Sequence, residues 1–268
     1  MVALFVSPLD VAEASLRTTM KSLRQKATSY SKDQDAHRKV LDCESRTRKA
    51  EKIRAVLRAA GALSKDTRVL DIGCSHGHIL KNLAQDSGYC VGVDMDREAE
   101  RQTASNIAYI LGDGEQLPFA AQSFDVVICN HVYEHTDNPP TLAAEILRLL
   151  KPTGVCYFAG PNKYSLIEPH YHLPFLSWLP QGVANSYVRL CRKGDAYLVR
   201  PYSYRQLVDL LGSFNVEDYT PRIIEHPERF HIQDLIAPGS VLQKMARLSY
   251  TLCRGLFPTF IFLLRRPR

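Results

Sequence analysis

The stretch VLDIGCSHGHILKNLA, residues 69–84, decides how the rest of the chain is interpreted. Its apolar residues end in an acid, Asp71, and lead at once into a turn that contains Gly73 and Gly77. An apolar segment, a glycine-containing turn and a second apolar segment are typical of a buried strand followed by a helix. Glycine lets the backbone approach a ligand closely, and the first turn of a helix offers free N–H groups. The stretch therefore predicts a strand, a tight turn and a helix that face a ligand.

The same alternation of short β-branched segments and helical segments continues to residue 162. It is clearest in TRVLDIG, YCVGVDMD, REAERQTASN, FDVVICN and TLAAEILRLLKP. Strands that alternate with helices indicate an α/β fold with a parallel sheet covered on both faces, and right-handed crossovers make that sheet doubly wound. Sheets of this kind bind ligands at the carboxyl ends of their strands.

Composition narrows the class of protein further. Hydrophobic residues make up 45% and charged residues 23% of the 268 residues, which are ordinary globular values. No apolar stretch approaches the roughly 18 residues that a spanning helix needs, and the first residues lack the basic region of a signal peptide. The seven cysteines are scattered without a CxxC pair. They favour reduced, buried thiols in the cytoplasm, and no metal site is predicted.

Acids at the ends of two further strands suggest what the ligand is. Asp94 ends the second strand, where a carboxylate can accept hydrogen bonds from both hydroxyls of a ribose. Asp113 follows the third strand and could accept from an adenine amine, while Met95 and Leu117 could enclose the purine. The turn after the first strand lacks the G-x-G-x-x-G pattern of dinucleotide sites, and Asp71 would repel a pyrophosphate. The pattern therefore predicts an adenosine-bearing ligand with a positively charged tail.

At these positions the chain resembles the class I S-adenosylmethionine-dependent methyltransferases, in the broad type 11 group that includes the quinone-biosynthesis methyltransferases. VLDIGCSHGH resembles the first family motif, D-x-G-x-G-x-G, and VGVDMD resembles the second. GDGEQLPFAAQSFDVVICNHVYEH resembles the adenine-binding segment and fourth strand, and LRLLKPTGVCYF the entry to the fifth strand. The resemblance covers residues 66–160 and departs from the family at Ser75, where a glycine is usual. It implies a seven-stranded, Rossmann-like sheet that an antiparallel C-terminal strand completes.

The resemblance also implies S-adenosylmethionine as the cofactor and assigns its contacts. The methionine end is assigned to Asp71, Gly73, Ser75 and Gly77, and the ribose to Asp94. The adenine is assigned to Met95, Asp113 and Gly114. Asn130 and His131 are expected to make backbone contacts near the methionyl group. Plainer alternatives stay open. The glycines could simply form tight turns, Asp94 could cap a helix, and Asp113 could stabilise a turn.

Methyl transfer needs an aligned acceptor and, for some acceptors, a base. The candidate catalytic residues His131 and His135 follow the fourth strand, and His170 lies with His172 in an aromatic, proline-rich insertion at about residues 161–201. We interpret the insertion as a lid over a small or lipid-like acceptor, with a satellite core as the alternative. His135 could instead be a packing residue. Residues 1–61 are predicted to form an N-terminal helical extension, and residues 62–268 the methyltransferase domain.

The expected activity is O- or C-methylation of a small-molecule or lipid-linked acceptor. The alternatives are a nicotinamide-dependent Rossmann dehydrogenase and a non-catalytic cofactor-binding module of the same fold. Nucleic acid is not an expected partner, since no aromatic residues alternate with the basic ones.

The C-terminal part of the chain leaves two questions open. Residues 235–268 carry six bases and no acid, so the basic segment 241–268 could contact a membrane from the cytoplasm; a solvated helix face is the alternative. Within it, PTFIFLLRRP is interpreted as a buried strand and not as a membrane-dipping anchor.

Overall fold

A computed structural model describes residues 43–97 and 99–267 of the chain. One sheet contains seven strands in the order β3-β2-β1-β4-β5-β7-β6. The strands are β1 Arg68–Ile72, β2 Tyr89–Asp94, β3 Ile107–Leu111, β4 Phe124–Asn130, β5 Leu150–Pro161, β6 Asn215–Asp218 and β7 Thr259–Arg265. The α-helices are α1 Cys43–Ala59, α2 His78–Leu83, α3 Pro139–Leu149, α4 Gln181–Leu190, α5 Tyr204–Leu210, α6 Thr220–Glu225 and α7 Val241–Cys253.

The strand order confirms the predicted doubly wound sheet. Strands β1 to β5 pair in parallel, and β1 lies between β2 on one side and β4 on the other. The chain therefore winds outward in both directions from β1 and β4. β7 runs antiparallel to both of its neighbours, β5 and β6, which confirms the strand interpretation of PTFIFLLRRP.

Two hydrophobic cores cover the two faces of the sheet. Successive residues of β1 point to opposite faces, so Val69 packs in one core and Leu70 in the other. Helices α1 and α2 close the first core, for example through Leu57 and Leu80, whereas α3 closes the second core through Ile146. The sheet is thus buried on both sides, as a parallel sheet requires.

One predicted helix, REAERQTASN, is wrong. The described residues between β2 and β3 form no helix. The segment has no large apolar residue with which to hold a helix against the sheet. Its polar groups bind the turn after β1 instead, because the backbone N–H of Gln102 donates to the carbonyl of His76 at 2.9 Å and Arg101 Nη1 lies 3.3 Å from Cys74 Sγ.

The insertion after β5 folds around a small core of its own. Tyr171 and Leu176 are buried there, and Val188 of α4 packs with them. Phe175 and Trp178 lie outside that core and are about half exposed. The N-terminal extension is described only from α1 onward, so the prediction for residues 1–42 lies outside the described residues. Among those that the structure does describe, no helix is long and apolar enough to cross a membrane.

Candidate functional site

A cleft opens at the carboxyl edge of the sheet, where the strand order reverses. Its volume is about 310 Å³, which is within the range of small-molecule sites. The predicted site residues that line it are Gly73, Asp94, Met95, Asp113, Gly114, His131 and His135. Asp71, Ser75, Gly77, Asn130 and His170 are not lining residues. The structure therefore brings most, but not all, of the predicted residues together around one space.

The turn after β1 is held close to its neighbours. The N–H groups of Gly73 and Cys74 both donate to the carbonyl of Val93, at 2.8 and 3.1 Å. Gly73 has a φ of 73°, and a Cβ atom there would lie 2.6 Å from Cγ2 of Val132. Ser75 also has a positive φ, of 46°, and its hydroxyl lies 3.0 Å from Nδ1 of His76. The turn thus keeps its conformation without the usual middle glycine, and the serine hydroxyl contacts the neighbouring histidine.

Asp94 joins this turn to the end of β2. One carboxylate oxygen accepts from the N–H of Ser75 at 2.7 Å and the other from the N–H of Asp96 at 2.8 Å. No helix begins here among the described residues, so a helix-capping role is excluded. Each carboxylate oxygen can accept more than one hydrogen bond, so both can still accept from ribose hydroxyls.

Asp71 lies beneath the cleft and not at its surface. It is 1% exposed, and its Oδ2 atom has no hydrogen-bond partner among the residues that the structure describes. Burial, together with the negative charge of Asp94, raises its pKa well above the usual value. Burial likewise raises the pKa of Asp94, although its two backbone hydrogen bonds oppose the shift. The two acids therefore create a site that favours a bound positive charge.

The segment after β3 forms the adenine side of the predicted site. Asp113 Oδ1 accepts from the N–H of Glu115 at 3.0 Å, which fits the turn-stabilising role that the sequence left open. A Cβ atom on Gly114 would lie 2.7 Å from Cγ2 of Ile72, so the backbone passes very close to the end of β1. Leu117, expected to enclose the purine, is 5% exposed and belongs to the core beneath.

Three histidines surround the buried carboxylate of Glu134, which is 0% exposed. Glu134 Oε1 lies 3.2 Å from Nδ1 of His131 and 3.6 Å from Nε2 of His170. The ring of His135 stands perpendicular to that of His170, with ring centres 5.1 Å apart. The structure therefore brings together three predicted histidines from two separate parts of the chain.

Glu168 positions His170 against this group. Its Oε1 lies 2.9 Å from Nδ1 of His170, and its Oε2 accepts from the backbone N–H groups of His170 and Tyr171 at 2.8 and 2.6 Å. The other ring nitrogen of His170 is thereby turned toward Glu134. His172, the fourth candidate, is exposed at a φ of 55° and does not join the group.

Burial and charge set the protonation of these groups differently. Burial lowers the pKa of His131, and the opposing effect of Glu134 is smaller. Burial would also lower the pKa of His170, but its contact with Glu168 and the charge of Glu134 outweigh burial and raise it. For Glu134, burial would raise the pKa, yet the contact and positive charge of His131 reverse the direction. These shifts favour the ionised form of Glu134, the neutral form of His131 and the protonated form of His170.

The same donor set could hold a cation. Ligand atoms of His131, Glu134 and His170 all lie within 4.8 Å of one another, and histidine nitrogen and carboxylate oxygen are ordinary ligands of divalent metals. A cationic group is already near, however. Burial lowers the pKa of Lys49, and the charge of Glu134 opposes that shift. The absence of a metal stays a prediction.

The sequence did not predict that the end of the insertion forms one wall of the cleft. Leu198 and Arg200 line the cleft, and the backbone N–H of Arg200 donates to the carbonyl of Glu134 at 2.9 Å. Neither residue belongs to a motif. Glu134, by contrast, lies between His131 and His135 in the sequence, and an acid next to two candidate histidines was already a signal for its position.

Comparisons with known proteins agree with this architecture. A family model described as a methyltransferase domain matches residues 70–158. A ubiquinone biosynthesis O-methyltransferase from Coxiella burnetii (strain RSA 331 / Henzerling II) is 28% identical over 162 residues, which cover 55% of this chain and 67% of that protein.

Solved structures share the fold at low sequence identity. Phosphoethanolamine N-methyltransferase 2 from Haemonchus contortus, in complex with phosphomonomethylethanolamine and S-adenosylhomocysteine, is 19% identical with a TM-score of 0.51; the match covers 81% of this chain and 52% of that one. A sarcosine dimethylglycine methyltransferase assigned in Galdieria sulphuraria is 15% identical with a TM-score of 0.51, over 81% and 85% of the two chains. The motifs, the strand order and the family match together support a class I S-adenosylmethionine-dependent methyltransferase domain, similar to that of the quinone-biosynthesis enzymes.

Proposed function

We propose that the protein transfers a methyl group from S-adenosylmethionine to an oxygen or carbon of a small or lipid-like acceptor. The observation that carries the proposal is a single cleft with two distinct ends. Asp94 and the turn after β1 lie at one end, and the pair of His131 and ionised Glu134 lies at the other. A cofactor and an acceptor bound in this cleft would meet between them.

The cofactor end suits a nucleoside with a cationic tail. Asp94 offers acceptor oxygens to the ribose, while Met95 and Gly114 line the purine side. Burial and the charge of Asp94 make ionisation of Asp71 costly, and a bound sulfonium or ammonium would stabilise the ionised carboxylates. Gly73 allows the close approach, and Ser75, Gly77 and Asn130 shape the turn and strand end behind it.

The acceptor end suits proton removal. When bound, S-adenosylmethionine supplies an electrophilic methyl group whose bond to sulfur breaks, leaving the electron pair on a neutral thioether. Because Nδ1 of His131 faces Glu134, the neutral ring keeps its proton on Nδ1 and leaves Nε2 as the basic nitrogen. Nε2 would take the acceptor hydroxyl proton as the oxygen lone pair attacks the methyl carbon. His170 stabilises the ionised Glu134, and His135 completes the wall beside it.

The acceptor itself is limited by Leu198 and Arg200. Leu198 is 46% exposed and offers apolar surface, and Arg200 offers a positive charge at the same wall. An acceptor with an apolar body and a polar or anionic group fits both. The aromatic residues expected to form a lid do not line the cleft, so residues 198–200 are the part of the insertion that would meet the acceptor.

We also assign the protein to the cytoplasm, with access to acceptors at a membrane surface. All six cysteines whose side chains the structure describes are free thiols, which supports a reducing compartment. A lipid-like acceptor would be reached most directly from such a surface.

Two measurements test the proposal. Calorimetry should detect binding of S-adenosylhomocysteine and none of NADH; the reverse result would favour the dehydrogenase alternative. Labelled-methyl transfer into cell extracts, followed by mass spectrometry, should yield a methylated product that His131→Ala protein fails to make while still binding S-adenosylhomocysteine. Cofactor binding without any labelled product would favour a non-catalytic module.

A further inference from the structure

Helix α7 turns a row of apolar side chains away from the protein. The row consists of four side chains that are between 59% and 72% exposed: Val241, Met245, Leu248 and Leu252. These residues are spaced by four, three and four positions, which places them on one face of a helix. We call this row the α7 stripe. Four large apolar residues in one exposed row are an unusual surface for a protein that acts alone in water.

The opposite face of α7 is fixed to the domain. Gln243 Nε2 donates to the carbonyl of Ile224 at 2.8 Å, and the hydroxyl of Tyr250 donates to Asp218. Gln243 and Tyr250 are 9% and 3% exposed. Because they lie seven positions apart on the buried face, the helix cannot rotate to bury the stripe without breaking both contacts.

Charge distinguishes the possible occupants of the stripe. Residues 235–268 contain six bases and no acid. Exposed Lys244 lies beside the stripe, one helical turn before Leu248, whereas Arg254 stacks on the ring of Tyr250 on the opposite face. Arg247 is paired with Glu225 at 3.2 Å, so it adds less. In a symmetric dimer the same basic patch would meet itself, which like-charge repulsion disfavours. An interface with an apolar layer beneath anionic groups would bury the apolar stripe and pair with the basic side chains of this segment.

The segment that follows α7 is hydrogen-bonded to the start of the insertion. The side-chain amide of Asn162, directly after β5, donates to the carbonyls of Gly255 and Phe257 at 2.6 and 2.8 Å. Asn162 is 0% exposed and begins the insertion that ends at the cleft wall. Helix α7 is therefore held against the start of the same insertion whose end, at Leu198 and Arg200, lines the cleft.

We infer that the α7 stripe docks the protein on an anionic lipid surface, with α7 lying flat in the interface. The inference concerns binding and does not depend on methyl transfer. If the inference is right, the apolar residues of the stripe insert into the lipid and set the depth of insertion. The basic residues make binding depend on anionic lipid and weaken it as the salt concentration rises.

Flotation with lipid vesicles tests the inference on the full chain. Vesicles of phosphatidylcholine containing about one third phosphatidylglycerol should bind the protein at least about tenfold more tightly than phosphatidylcholine alone. The double variant Leu248→Gln/Leu252→Gln should lose at least about tenfold of that binding. Lys244→Glu should weaken binding to the anionic vesicles alone. The control Leu111→Gln changes a 38% exposed leucine at the end of β3, at the far edge of the sheet from β6 and β7.

Calorimetry with S-adenosylhomocysteine and thermal unfolding check that each variant is folded. Equal vesicle binding by wild type and double variant would overturn the inference, as would no binding of folded wild type to either vesicle. Light scattering without lipid gives a further decisive outcome. A dimer that the double variant converts to a monomer would show that the stripe binds a second copy. Failure of cofactor binding in wild type would count against the proposed function and leave the vesicle result unaffected.

Discussion

Asp94 combines two tasks in one side chain, since it holds the turn after β1 and faces the cleft. Asp94→Ala should weaken S-adenosylhomocysteine binding at least about tenfold, because both ribose hydroxyls and the Ser75 N–H lose their acceptor. Asp94→Asn keeps one acceptor oxygen, so its affinity for S-adenosylhomocysteine should lie between those of the wild type and the alanine variant. Calorimetry measures the affinities, with Asp66→Asn on the exposed surface as the control. Unchanged affinity in the alanine variant would show that Asp94 does not contact the ribose.

His131 should set the acid limit of methyl transfer. In the proposed mechanism the neutral ring is the active form, so activity should fall as pH drops through the pKa of His131, which burial lowers from its usual value. The charge of Glu134 raises that pKa; Glu134→Gln should therefore move the acid limit to lower pH and also reduce kcat. A pH profile of kcat at saturating acceptor measures both, with exposed Glu228→Gln as the control. An acid limit that stays in place or moves upward would contradict this role.

Removal of divalent metal should leave the activity unchanged. The Lys49 charge already acts on Glu134, so a second cation in the group formed with His131 and His170 would be repelled. Initial rates before and after dialysis against a chelator measure the effect, alongside the metal content of the protein. Activity that is lost and then restored by a divalent ion would show that the three residues hold a metal.

At the scale of the element, the first turn depends on Gly77 for two separate reasons. Its φ is 76°, and an added Cβ would lie 2.0 Å from the hydroxyl of Tyr109. Gly61 has nearly the same φ, 66°, with nothing within 4 Å of an added Cβ. Gly61→Ala should therefore cost about 1 kcal/mol of unfolding free energy, and Gly77→Ala at least about twice that. Denaturant unfolding measures both, and equal costs would show that Tyr109 moves aside freely.

Elements with a clear hydrophobic pattern were predictable, and those built on tertiary contacts were not. The strand of Val69 and Leu70 follows from its apolar run between polar residues, whereas the antiparallel strand near the C-terminus was implied by the family resemblance and supported by its short apolar run. The helix expected around Arg101 and Gln102 is wrong, because helix-forming residues without an apolar face gave no anchor and their polar groups found partners on the turn after β1.

The candidate site was predictable in the same uneven way. Gly73 and Asp94 belong to local motifs, so their position beside one cleft was predictable, while their contacts with the cofactor stay a prediction. The meeting of Glu134 with His170 depends on how a long insertion folds back, which no local spacing encodes. Leu198 and Arg200 reach the cleft by that same fold and carried no signal.

For the whole molecule, cofactor binding should appear as added stability. S-adenosylhomocysteine at about 100 times its Kd should raise the unfolding free energy by about 2.7 kcal/mol, because a ligand that binds the folded state shifts the equilibrium by mass action. Thermal unfolding with and without ligand measures the shift. NADH at the same concentration is the control, and stabilisation by NADH alone would contradict the assigned cofactor.

The position of β7 has a consequence for how the chain is made. Phe262 and Ile261 of β7 enter the two cores, and the strand lies between β5 and β6. On the ribosome, β6 emerges before the strand with which it pairs, so the nascent chain holds an open sheet and two incomplete cores until residues 259–265 have left the exit tunnel. Folding of this domain is therefore completed after those residues are synthesised, and until then its apolar sheet faces are accessible to chaperones and proteases.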